Sequence, residues 1–136
     1  MNRFLLTAFI AVISMIFSCK SMNKKENMLI GSWRIENIEM NREMTDSEKA
    51  NFNLYLAQLK ETGYFTFKSD QKFESFYNEE LLKGIWELVN NGQQLITKPD
   101  ESDLDTVNIA YLTSQNLILL SESDGIITKI ILRKQK

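Results

Sequence analysis

A single cysteine, Cys19, follows an apolar run from Phe4 to Phe17, and no histidine occurs anywhere in the 136 residues. The missing imidazole removes Ser-His-Asp and Cys-His nucleophilic catalysis and the usual nitrogen-ligated metal sites. Five glycines are present, and none belongs to a phosphate-cradling run. Carboxylates are the remaining candidates for reaction chemistry, and acid catalysis needs two of them facing one cleft. Glu79 and Glu80 are adjacent in an expected turn, which sends them apart. Asp100, Glu101, Asp103 and Asp105 form the densest acidic patch. Asp103 and Asp105 have the alternate spacing of calcium-loop ligands, but no glycine turns that loop sharply, so the patch reads as solvated charge. The residues therefore point away from an enzyme, and neither a metal nor a cofactor is expected. The aromatic set Phe65, Phe67, Phe73, Tyr77, Trp86 and Tyr111 is what remains. It either packs as plain core or lines a space for a small apolar ligand.

Arg3 stands in front of the apolar run, whose polar members are Thr7 and Ser14. The run is 14 residues long, and a spanning helix needs about 20. A short basic start, an apolar middle and a small residue at Ser18 describe an export signal. The alternatives are a buried N-terminal helix and an ordinary signal cut near Ser18. A lone exported thiol has no evident use, whereas a lipidated one does. Ile16-Phe17-Ser18-Cys19 resembles the lipobox of bacterial lipoproteins, in which the cysteine receives palmitate-type acyl chains and becomes the new N-terminus. The resemblance implies a signal peptide over 1–18 and membrane attachment through Cys19. Each buried methylene contributes about 0.8 kcal/mol, so multiple acylation gives durable anchoring. Residues 19–27 then form a lipidated tether, polar and without periodicity from Lys20 to Asn27. Lys20 replaces the aspartate that would imply inner-membrane retention, and no acidic export cluster follows. Both favour an outer-membrane lipoprotein facing the periplasm.

Loss of 18 residues leaves 118, one domain with room for a core. Without Arg3 the 16 basic residues become 15 against 18 acidic, a net charge of −3. No basic stripe is visible, so nucleic acid is not an expected partner. With Cys19 acylated no disulfide is possible, and packing alone must hold the domain.

Turn signals recur at short intervals beyond Met28. Asn90-Asn91-Gly92 and Asp124-Gly125 are the strongest hairpin signals. Strand-like segments are expected at Gly31–Met40, Gly63–Lys68, Lys72–Tyr77, Gly84–Val89, Gln94–Lys98, Asp105–Thr113, Asn116–Ser121 and Ile126–Arg133. One helix interrupts them from Asp46 to Thr62. Thr45 and Glu48 have capping-box spacing, Phe52, Tyr55, Leu56 and Leu59 form one apolar stripe, and Gly63 stands where a left-handed C-terminal cap would be. The helix is expected to pack over one end or flank of the sheet. Eight sequential strands close most simply into an all-β up-and-down antiparallel barrel with the helix inserted between strands 1 and 2. A two-sheet sandwich is the competing closure.

Gly31-Ser32-Trp33 resembles the Gly-x-Trp signature of lipocalins and the wider calycin group. Small bacterial lipoproteins with a lipocalin-like domain are similar too, through Tyr64-Phe65-Thr66-Phe67-Lys68-Ser69-Asp70, a second Gly-x-Trp at Gly84-Ile85-Trp86, and Tyr111-Leu112-Thr113 followed by Leu117-Ile118-Leu119. The resemblance spans roughly Leu29 to Arg133. It implies a lipocalin-like barrel over 28–136, closed at one end by Gly31 and Trp33, with Arg133 packed beside the tryptophan. Gln71 stands where the first hairpin of that family often has glycine. The implied function is a non-enzymatic, lipid-anchored envelope protein that binds a small apolar ligand or a peptide. The alternative is an assembly lipoprotein with a filled barrel that contacts another envelope protein.

Overall fold

A computed structural model describes residues 23–136; the expected signal peptide and Cys19 lie outside the described residues. Residues 23–29 are helical (α1), a helix that takes in residues 23–27 of the expected tether. Eight strands follow: β1 (Gly31–Met40), β2 (Tyr64–Phe67), β3 (Lys72–Tyr77), β4 (Glu80–Val89), β5 (Gln94–Pro99), β6 (Asp105–Leu112), β7 (Asn116–Ser123) and β8 (Ile126–Lys134). Each pairs antiparallel with the next, and β8 returns to β1, so the sheet is a closed up-and-down barrel. Closure leaves no free sheet edge. The competing sandwich is excluded.

The connections follow the turn chemistry. Asp124-Gly125 joins Ser123 to Ile126 with both φ values positive, the backbone of a two-residue primed turn. Asn78 and Glu79 do the same between Tyr77 and Glu80. Glu80 thus opens β4, four residues before the expected start, and Glu79 is the turn residue. Asn90, Asn91 and Gly92 all have positive φ in the loop after β4. Gln71 also adopts a positive φ of 65°, keeping the geometry that glycine often supplies at this point.

The inserted helix, α2 (Asp46–Thr62), has the expected bounds. Thr45 Oγ1 accepts from the Glu48 N–H at 3.3 Å, and Glu48 Oε2 accepts from the Thr45 N–H at 2.8 Å, completing a capping box. Leu56 and Leu59 are buried, with Phe52 and Tyr55 packed beside them. The C-terminal cap differs from expectation. Gly63 is extended (φ −73°, ψ 134°), and its N–H reaches the Leu59 carbonyl at 2.8 Å. A Cβ there would lie 2.6 Å from that carbonyl oxygen. Close approach, not left-handed geometry, is what glycine serves.

Two bulges decide which side chains face inward. The β1–β8 register shifts between Ile35 and Asn37, which brings Ile38 to the interior in place of Asn37. The β6–β7 register shifts between Ile109 and Tyr111. An extra residue on one strand of a pair reverses the alternation beyond it.

Candidate functional site

The barrel has two unlike ends. At the end where β1 begins, Trp33, Trp86, Phe67, Leu29, Leu95, Leu117 and Leu132 are fully buried. Trp86 meets Phe67 edge to face, with ring centroids 5.9 Å apart, and its Nε1 donates to the Lys68 carbonyl at 3.0 Å. Helix α1 covers this end. The Trp33 Nε1 donates to the Leu29 carbonyl at 2.8 Å, and Lys25 Nζ donates to the Asn91 carbonyl in the hairpin loop.

Trp33 lies directly opposite Lys134 in the β1–β8 ladder, and Arg34 opposite Arg133. Residues directly opposite one another share a face. Lys134 Nζ therefore sits 4.8 Å from the Trp33 ring centroid and donates to the Met28 and Ile30 carbonyls at 2.6 and 2.7 Å. Burial lowers the Lys134 ammonium from its ordinary pKa. Arg133, expected beside Trp33, is on the other face and pairs with Glu36 at 3.3 Å. Gly31 has a φ of +134°, and a Cβ there would come within 3.2 Å of Lys134 Cε. The first Gly-x-Trp thus leaves room for a lysine stem to reach the indole. The second is built for another reason: a Cβ on Gly84 would lie 2.0 Å from the Lys98 carbonyl oxygen. The two copies share a pattern and not a role.

The other end holds a cavity of about 390 Å³. Phe67, Phe73, Leu95 and Leu119 line its deeper part, and Phe65 and Tyr77 line it as well. Burial, and then a hydrogen bond with Tyr55, push the Tyr77 phenol well above its ordinary pKa. Tyr55 in turn donates to Asn78 Oδ1, so α2 is tied to the cavity wall. Four of the six expected lining residues, Phe65, Phe67, Phe73 and Tyr77, are therefore brought together. Trp86 belongs to the packed end. Tyr111 is 52% exposed on the outer surface, because the bulge before it turns Leu112 inward instead.

The hydroxyl side chains of Ser75, Thr97 and Ser121 complete the wall, and Ser102 with the carboxylates of Asp103 and Asp105 stands at the mouth. Ser75 lies between Phe73 and Tyr77 on the inward face of β3, a placement that period-two alternation allows one to find. It is the one buried polar residue among the described residues, 3% exposed. Asp103 and Asp105 belong to no cluster able to hold a metal ion among the described residues. Gln58 Nε2 donates to Glu79 Oε1 at 3.1 Å, so that carboxylate anchors the helix to the β3–β4 turn.

No family model and no curated protein sequence matches the chain. Solved structures do. A DUF4847 family protein from Bacteroides vulgatus superposes with a TM-score of 0.57 at 15% identity, over 82% of this chain and 99% of that one. A lipocalin-like protein from Bacteroides uniformis superposes with a TM-score of 0.52 at 17% identity, over 79% and 99%. At this identity the likeness concerns the fold, which is lipocalin-like.

Proposed function

We propose that this chain is a lipid-anchored, non-enzymatic envelope protein whose barrel holds a small apolar ligand. The cavity at one end carries this reading. Its volume lies in the range of small-molecule sites, and its wall is mainly aromatic and aliphatic with a few polar groups, as such sites usually are. The filled-barrel alternative accounts for the packed end and leaves the cavity without a purpose.

The anchor and the cavity are compatible in direction. Helix α1 lies at the packed end, and its first described residue, Asn23, is four residues beyond Cys19. An acyl anchor at Cys19 turns the packed end toward an outer-membrane surface and the mouth away from it. A ligand then enters from the aqueous side.

Two measurements test the two parts. A neutral dye that brightens in apolar surroundings, N-phenyl-1-naphthylamine, should bind the protein, and Ser75→Phe, which fills the cavity, should abolish that binding while the circular dichroism spectrum stays unchanged. Undiminished binding in a folded Ser75→Phe protein removes the ligand reading. Cys19→Ser should release the protein from the membrane fraction. If it still sediments with membranes, the lipidation reading is wrong.

A further inference from the structure

The polar groups of the cavity wall are unevenly matched in charge. Among the described residues no lysine or arginine lines the cavity, whereas Asp103 and Asp105 both do. Neither carboxylate forms an ion pair within the described residues. Asp105 lies directly opposite Thr97 in the β5–β6 ladder. It shares the inward face of β6 with Val107, another cavity residue, so its carboxylate stands at the rim above an apolar wall.

A second observation lies deeper. Ser75 is 3% exposed and lines the same cavity. Its hydroxyl makes no hydrogen bond within the described residues. None of the described buried side-chain oxygens is both sealed from solvent and unpartnered, so this hydroxyl opens onto the cavity. Buried polar groups are normally hydrogen-bonded, and one left free inside a cavity wall is satisfied by a water molecule or by a polar atom of an occupant.

Resting on the ligand-binding reading above, we infer that the cavity takes a compact amphiphile with an apolar body and a cationic head, held with the head between Asp103 and Asp105 at the mouth. A fatty acid is the wrong class. Its carboxylate would sit beside two like charges and meet no cation, and like-charge repulsion disfavours that placement. Size is limited as well. A volume of about 390 Å³ lies near the lower bound of small-molecule sites. A single short chain or one ring system fits, and a two-chain phospholipid does not.

Three probes of similar length separate head from body: octyltrimethylammonium, 1-decanol and decanoate, titrated calorimetrically into the protein below their micelle-forming concentrations. The ammonium should bind about tenfold or more tightly than decanoate, the scale expected when unit charges meet within a few ångströms under partial screening. That preference should shrink as salt is raised. In the Asp103→Asn, Asp105→Asn double variant, whose changed side chains are exposed, the preference should collapse while 1-decanol binds as before. Decanoate binding as tightly as the ammonium overturns the head-group assignment and leaves the cavity reading standing. A double variant that retains the preference does the same. Failure of all three probes to bind overturns both.

Discussion

The two ends of the barrel are built from the same eight strands with the same alternation, and they differ in what the inward positions carry. At the packed end these positions hold two tryptophans, a phenylalanine and several leucines, closed over by α1. At the open end they hold the small residues Ser75, Thr97 and Ser121 among Phe65, Phe73, Tyr77 and aliphatic side chains, and about 390 Å³ stays empty. The strand pattern alone does not distinguish a plug from a pocket. Side-chain volume at the inward positions does. A close-packed interior resists loss of volume, whereas a cavity wall has already forgone those contacts.

Trp33→Ala is the largest test of that contrast. Trp33 is fully buried at the packed end, hydrogen-bonded to Leu29 and covered by Lys134. Truncating a buried aromatic removes its transfer energy and leaves a hole, costing about 3–5 kcal/mol. Chemical denaturation should show the loss as a lower midpoint with little change in slope. A cost under about 1 kcal/mol would mean that the plug does not depend on the indole.

Lys134→Met comes next. It keeps the apolar stem but removes the ammonium from the ring face and from the Met28 and Ile30 carbonyls. The expected destabilisation is about 1–3 kcal/mol. Arg133→Met, which breaks an exposed pair with Glu36, should cost less than about 1 kcal/mol. Equal costs for the two variants would contradict the assignment of Lys134 as the residue that fastens α1 to the barrel.

Much of the fold was legible because local signals agreed with one another. The bounds of α2 follow from Thr45, Glu48 and a four-residue apolar stripe, and the hairpins follow from Asn90-Asn91-Gly92 and Asp124-Gly125. The misplacements of Arg133 and Tyr111 share a physical origin in register. Whether Arg133 or Lys134 reaches Trp33 depends on a pairing between strands about a hundred residues apart, and a one-residue shift exchanges the faces. Simple alternation from Val107 and Ile109 would carry Tyr111 inward with the rest of the aromatic set, and the bulge that reverses it carries no proline or glycine to announce it. The rim carboxylates could be read as a patch. That they share a cavity with Ser75 emerges only when the barrel closes, because closure brings β3, β5 and β6 around one space.

Ser75→Val is the smallest expected effect and separates the two ends by sign. An added methyl at the packed end meets filled space, and over-packing there costs about 1–3 kcal/mol. At Ser75 the same enlargement projects into vacant volume and replaces a hydroxyl that has no partner among the described residues. Removing an unsatisfied polar group is close to neutral or favourable, and each buried methylene adds about 0.8 kcal/mol. Valine also suits a strand better than serine does. The unliganded protein should therefore gain up to about 1 kcal/mol in stability, seen as a higher melting temperature, while losing affinity for the neutral dye. Such an exchange of stability for binding is what a wall position gives when its side chain was shaped by an occupant rather than by the core. A loss of more than about 1 kcal/mol would instead place Ser75 in a filled interior and make the open end a continuation of the plug.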